Sequence, residues 1–200
     1  MMAVSVAIIK YNAGNIRSVL FALERMGSSA TVTDDPDDIL KADRVIFPGV
    51  GEASSAMAYL KERRLDQLIC GLRQPVLGIC LGMQLMCSRS EENDTECLGI
   101  FGEEVRLFPP GAGLKVPHMG WDTVGSLKSG LLEGVEEGSH VYFVHSYYAG
   151  PGPDTIASAR YGLAYSAGLG KNNFFGVQFH PEKSAGVGER ILRNFLDLRI

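Results

Sequence analysis

Two hundred residues, 46% of them hydrophobic and 21% charged, suffice for one domain with a sizeable core and no covalent staples. A net charge of −4 with no basic run excludes a general affinity for nucleic acid or anionic lipid, and no apolar run reaches the roughly 18 residues a membrane span needs. The start "MMAVSVAIIK" lacks a charged leader region, and four cysteines (Cys70, Cys80, Cys87, Cys97) without a CxxC pair read as free thiols of a cytoplasmic chain with no zinc site.

From the N-terminus the pattern alternates. "VSVAII" (4–9), a continuous run rich in β-branched residues, predicts a strand buried on both faces, with "YNAGN" as the turn after it. Ile16, Val19, Leu20 and Leu23 recur at helical spacing, and Gly27 is the stop. "ATVT" (30–33) predicts a second strand, and Asp35-Pro36 caps a brief helix. "DRVIF" (43–47) predicts a third strand, broken by "PGVG". Leu65, Leu68, Ile69 and Leu72 mark a helix that Pro75 ends, followed by a fourth strand "VLGI" and a helical "LGMQLMC". This order predicts an α/β fold: an open, mostly parallel sheet with helices on both faces. In the second half, "EVRLF", "VPHMGWDTV", "SHVYFVHSYY", "TIASARY" and "NNFFGVQF" are strand-like runs separated by Gly, Pro and Ser. They predict antiparallel or mixed additions to the same sheet, closed by an amphipathic helix from about residue 186. With no repeat or linker, residues 1–200 read as a single domain.

The chemistry starts at "GICLG". If "VLGI" is a strand and "LGMQLMC" a helix, Cys80 sits on a sharp strand-to-helix turn whose flanks, Gly78 and Gly82, must be small. A helix start favours thiolate over thiol, and the N–H of Leu81 is placed to meet an oxyanion. Taken alone, the pattern also suits a merely structural corner; Cys70, Cys87 and Cys97 lack even this setting and read as packing or surface residues. A base is offered by "FHPEKS", where Pro181 holds His180 extended so that Glu182, two residues on, faces the same way. A carboxylate on Nδ1 fixes the imidazole tautomer and stabilises imidazolium, which gives a thiol version of a nucleophile–base–orienter triad. His118 and His145 lie in strand-like runs and fit a core or rim position as well, while His140 reads as a surface residue. "FPGVGE" supplies glycines that let backbone N–H groups approach a ligand, but it has neither the GxGxxG nor the Lys-Ser/Thr of nucleotide loops.

Together, "PGVG", "GICLGMQ" and "FHPE" resemble, in order and spacing over nearly the whole chain, the three motifs of the class I (triad) glutamine amidotransferases. That resemblance implies a flavodoxin-like domain that hydrolyses glutamine through a thioester on Cys80, with His180 as base and then acid and Glu182 as orienter. It implies an oxyanion hole from the backbone of Val50 and Leu81, within the glycine-bearing segments that include Gly49 and Gly82. It also places Gly51, Gln84, His145, Ser146 and Tyr147 around the bound glutamine. Within the class, "YNAGNIRSV", "PGVGEASSAM", "KVPHMGWD" and "HPEKS" are similar to signatures of the glutaminase subunits of imidazole glycerol phosphate synthases, although Lys10-Tyr11-Asn12 stands where many members have Asp-Tyr-Gly. The implied partner is a (βα)8-barrel cyclase that uses the ammonia to make imidazole glycerol phosphate and an aminoimidazole carboxamide ribotide in histidine biosynthesis. Asn12, Asn15, Met119, Trp121 and Lys183 are the residues expected to face it, and no metal or organic cofactor is expected. Two competing readings are a glutaminase subunit of the anthranilate or aminodeoxychorismate synthase type and a thiol redox sensor on a related fold.

Overall fold

A computed structural model describes residues 4–12, 15–109 and 114–199; Ala13 and Gly14 of the expected "YNAGN" turn lie outside them. The first half alternates as the pattern predicts: β1 (Val6–Ile9), α1 (Ile16–Arg25), β2 (Ala30–Thr33), α2 (Pro36–Lys41), β3 (Arg44–Gly49), α3 (Ala53–Glu62), α4 (Leu65–Gly71), β4 (Val76–Cys80) and α5 (Leu81–Leu85). Helix α1 ends where Gly27, at φ +77°, lets its N–H and that of Ser28 reach the Glu24 and Leu23 carbonyls. Helix α2 begins under the Asp35 carboxylate, which accepts from the N–H groups of Asp37 (2.8 Å) and Asp38 (3.3 Å).

The second half is almost all strand: β5 (Arg89–Ser90), β6 (Thr95–Glu96), β7 (Glu104–Leu107), β8 (His118–Val124), β9 (Ser139–His145), β10 (Tyr147–Ala149), β11 (Thr155–Tyr161), β12 (Leu163–Lys171) and β13 (Phe174–Val177), then α6 (Ala185–Asp197). The main sheet runs β2-β1-β3-β4-β13-β12-β10-β7-β5-β6, with β11 on β12. Its first five strands are parallel, and β12, β10 and β7 continue it antiparallel. Buried residues alternate between the two faces. Ile8, Ile46 and Leu77 pack with Val19 and Leu23 of α1 and Ile191 and Phe195 of α6. Ile9, Val45, Phe47 and Val76 pack on the other side with Ile39, Leu60 and Ile69 of α2, α3 and α4.

Several expectations need correction. β8 and β9, expected as additions to the main sheet, pair only with each other in a two-stranded sheet, from His118↔His145 to Val124↔Ser139. Val141 and Phe143 turn inward while Met119 and Trp121 turn to solvent, and a single bridge just past β8, Gly125↔Ser158, ties the pair to β11 of the main sheet. β3 runs on through Pro48 and Gly49, because β4 pairs with it to the Gly49↔Cys80 step. The "SHVYFVHSYY" run divides at Ser146, α4 stops at Gly71 well before Pro75, and α5 stops at Leu85. Helix α3 and strand β12 were not expected. The buried stripe of α3 is mostly alanine and methionine, and β12 is an interior strand built of Ala, Ser and Gly. Among the described residues no helix is long and apolar enough to cross a membrane.

Candidate active site

β4 ends on Cys80, whose backbone (φ 53°, ψ −109°) lies where L-residues rarely go. The strain turns the chain directly from strand into α5 and requires the small flanks the sequence supplies. A Cβ on Gly78 would overlap Met86, and one on Gly82 would overlap the Phe47 carbonyl of β3. Helix α5 has only five residues, so its end carries little of the field expected to hold a thiolate.

β13 lies beside β4 in parallel register, Val177↔Ile79, so the residues after it emerge at the same sheet edge as Cys80. Pro181–Lys183 form a single tight turn that brings Glu182 Oε1 to 2.8 Å from His180 Nδ1, both side chains being almost wholly buried. Ser184 ties the turn down: its hydroxyl donates to the His180 carbonyl (2.7 Å) and accepts from the Tyr142 N–H (2.9 Å). With Nδ1–H given to the carboxylate, Nε2 is buried without a hydrogen-bond partner, and Cys80 joins Glu182 in favouring the protonated ring. Burial pulls the imidazole pKa down, but Cys80 and Glu182 outweigh burial and hold it well above the ordinary histidine range. Asn15, at the head of α1 in a left-handed conformation, lays its amide on Glu182 Oε1 and lies 3.4 Å from His180 Nδ1. Expected at a partner face, it also steadies the carboxylate from behind.

Beside Cys80 opens a cavity of about 280 Å³, a size suited to a small metabolite. Val50, Gly51, Leu81, Gln84, His145, Ser146 and Tyr147 line it, together with Cys80. Gly49 and Gly82 are not in its wall; they sit where β3, α5 and Tyr11 touch, too close for a side chain. The Tyr147 carbonyl accepts from both Gln84 Nε2 and His145 Nδ1, each at 2.8 Å. Burial chiefly, with His118 and His180 adding and the Tyr147 bond opposing, pushes His145 down to about 3, so it stays neutral. Glu92, Pro117 and Val144 line the cavity without having been foreseen, and buried Gln178 adjoins the sulfur. Glu92 caps α3 by accepting from the Ala53 N–H at 2.7 Å, and burial raises its carboxyl against that bond. A larger hollow of about 420 Å³, between α1 and α6 behind Glu182, is lined by no cysteine, serine, threonine or histidine. Among the described residues no three His, Cys, Asp or Glu side chains gather as a metal site.

Next to the cavity, Met119 and Trp121 are 63% and 54% exposed, values high enough to mark an apolar surface. Trp121 stands edge-on to Tyr142 at 6.1 Å, and the Lys183 ammonium lies 5.8 Å above the same ring. Asn12, also exposed, donates to the Ser55 carbonyl at 3.4 Å.

The family model described as glutamine amidotransferase class-I matches residues 7–198. The chain is 57% identical over 194 residues to the imidazole glycerol phosphate synthase subunit HisH of Bacteroides fragilis, spanning 96% of this chain and 99% of that one. It is 56% identical to the protein of the same name from Bacteroides thetaiotaomicron, with the same coverage. In fold it is similar to a crystal structure of a glutamine amidotransferase, with a TM-score of 0.73 at 18% identity, covering 96% of this chain and 97% of that chain.

Proposed function

Because the chain belongs to the class-I glutamine amidotransferase family, we propose that it is the glutaminase subunit of an imidazole glycerol phosphate synthase. The observation that carries this reading is the buried His180–Glu182 pair, which follows β13 at the sheet edge where β4 ends on Cys80, with Cys80 lining a cavity sized for an amino acid. The Cys80 thiolate attacks the side-chain carboxamide of L-glutamine, and the backbone of Val50 and Leu81 receives the developing oxyanion. His180, as imidazolium, gives its proton to the departing nitrogen, which leaves as ammonia while the C–N bond breaks and the thioester remains. It then takes a proton from water, whose oxygen attacks the thioester and releases glutamate and the thiolate. Glu92 is the carboxylate in the cavity wall and suits the substrate's α-ammonium.

The whole chain then acts as one glutaminase domain and leaves the ammonia acceptor to a (βα)8-barrel cyclase. That partner would convert the ammonia and a phosphoribulosyl carboxamide into imidazole glycerol phosphate and aminoimidazole carboxamide ribotide. Met119, Trp121, Lys183 and Asn12 border the site and suit a docking face through which ammonia passes. The relatives' names favour this partner over an anthranilate-type synthase, and a base and orienter aligned on the thiol have no use in a redox sensor. The test is Cys80→Ala in the reconstituted complex. Glutamate release should vanish while added ammonia still drives the cyclase; loss of both activities would count against the division of labour.

A further inference from the structure

Gln178 is fully buried, lies outside the cavity wall, and is used by no step above. Its amide stands between Gln84 and the nucleophile, 2.9 Å from Gln84 Nε2 on one side and 3.7 Å from Cys80 Sγ on the other. One backbone carbonyl fixes which end faces which. The Tyr147 oxygen can only accept, so Gln84 turns its NH2 group toward it. The same nitrogen faces Gln178, which must answer with its oxygen; the NH2 group of Gln178 is left to point at sulfur. On its other side the sulfur meets the Val144 carbonyl at 3.8 Å, an acceptor that suits S–H and repels S⁻. The five-residue α5 adds little field.

We propose that Gln178 is a positioning residue for the glutaminase reaction, its amide N–H holding Cys80 as an aimed thiolate and tying it to the Gln84 wall of the substrate cavity. The proposal rests on the glutaminase reading only for its purpose; the hydrogen bond itself can be tested on the thiol. The titratable groups around the sulfur are His180 with Glu182 after β13, Tyr11 after β1, and His145 and Glu92 across the cavity. All are retained when Gln178 alone is changed.

Gln178→Glu keeps an oxygen for Gln84 and replaces the donor by a carboxylate; Gln178→Met removes the donor without adding charge. In the full chain, the pH dependence of Cys80 alkylation by iodoacetamide, followed on the Cys80 peptide by mass spectrometry, should move to higher midpoint by about 1 pH unit in the Met variant. In the Glu variant the shift should be larger. In the unmodified chain, the Gln178 side-chain NH2 resonances should titrate together with Cys80 and cease to do so in Cys80→Ser. Unmoved alkylation midpoints in the folded variants, or NH2 resonances indifferent to Cys80 ionisation in the native chain, would overturn the proposal. The native-chain titration gives this answer even if neither variant folds. Shifted midpoints in a chain that, with its barrel partner, releases no glutamate would leave Gln178 in place and refute the glutaminase reading instead.

Discussion

Burial opposes charge on His180, but Cys80 and Glu182 pull it toward its protonated form. In the proposed reaction the imidazolium is the acid that discharges ammonia, so turnover falls as pH rises through its folded pKa. Glu182→Gln removes one of the groups that raises that pKa. The fall in kcat/KM should therefore begin at lower pH, by about 1–2 units, in the reconstituted complex assayed across an alkaline series. The His180–Glu182 pair was legible because residues two apart on an extended segment share a face. The same step taken backward reaches Gln178, whose uncharged amide gave no reason to look. Glu92 could not have been found that way: it enters the cavity by capping α3, a contact spanning about forty positions that no local pattern records.

The turn at Cys80 works only if β3, β4 and α5 touch without side chains between them. A methyl group on Gly82 would meet the Phe47 carbonyl, and a backbone atom in a central strand cannot give way as a flexible side chain can. Gly82→Ala should cost about 3 kcal/mol or more in urea unfolding. Gly71, at the end of α4 with nothing within 4 Å of its would-be Cβ, is the contrast; alanine there should stabilise by about 0.5–1 kcal/mol. At this scale the parallel half was legible because strands buried on both faces read as unbroken apolar runs. Helix α3 escaped because half of its buried stripe, Ala53, Ala56, Met57 and Leu60, is alanine, which leaves a weak hydrophobic period. Strand β12 escaped because its glycines, which elsewhere signal turns, here let β11 and β13 pack closely: a Cβ on Gly168 would lie 3.3 Å from Ala157.

Across the whole molecule, the proposed chemistry and the proposed docking face share one edge, since β8 and β9 carry Trp121 and Met119 outward and His145 inward. Trp121→Ala should weaken binding to the barrel cyclase by about 2 kcal/mol, or roughly 30-fold by calorimetry, with Cys80 alkylation unchanged. The order of the central strands has a consequence for synthesis. Cys80 leaves the ribosome about a hundred residues ahead of His180, its proposed base, and the place between β4 and β12 stays vacant until β13 arrives to fill it. A nascent chain thus carries an unarmed thiol, and closure of the sheet and arming of the sulfur become one late event.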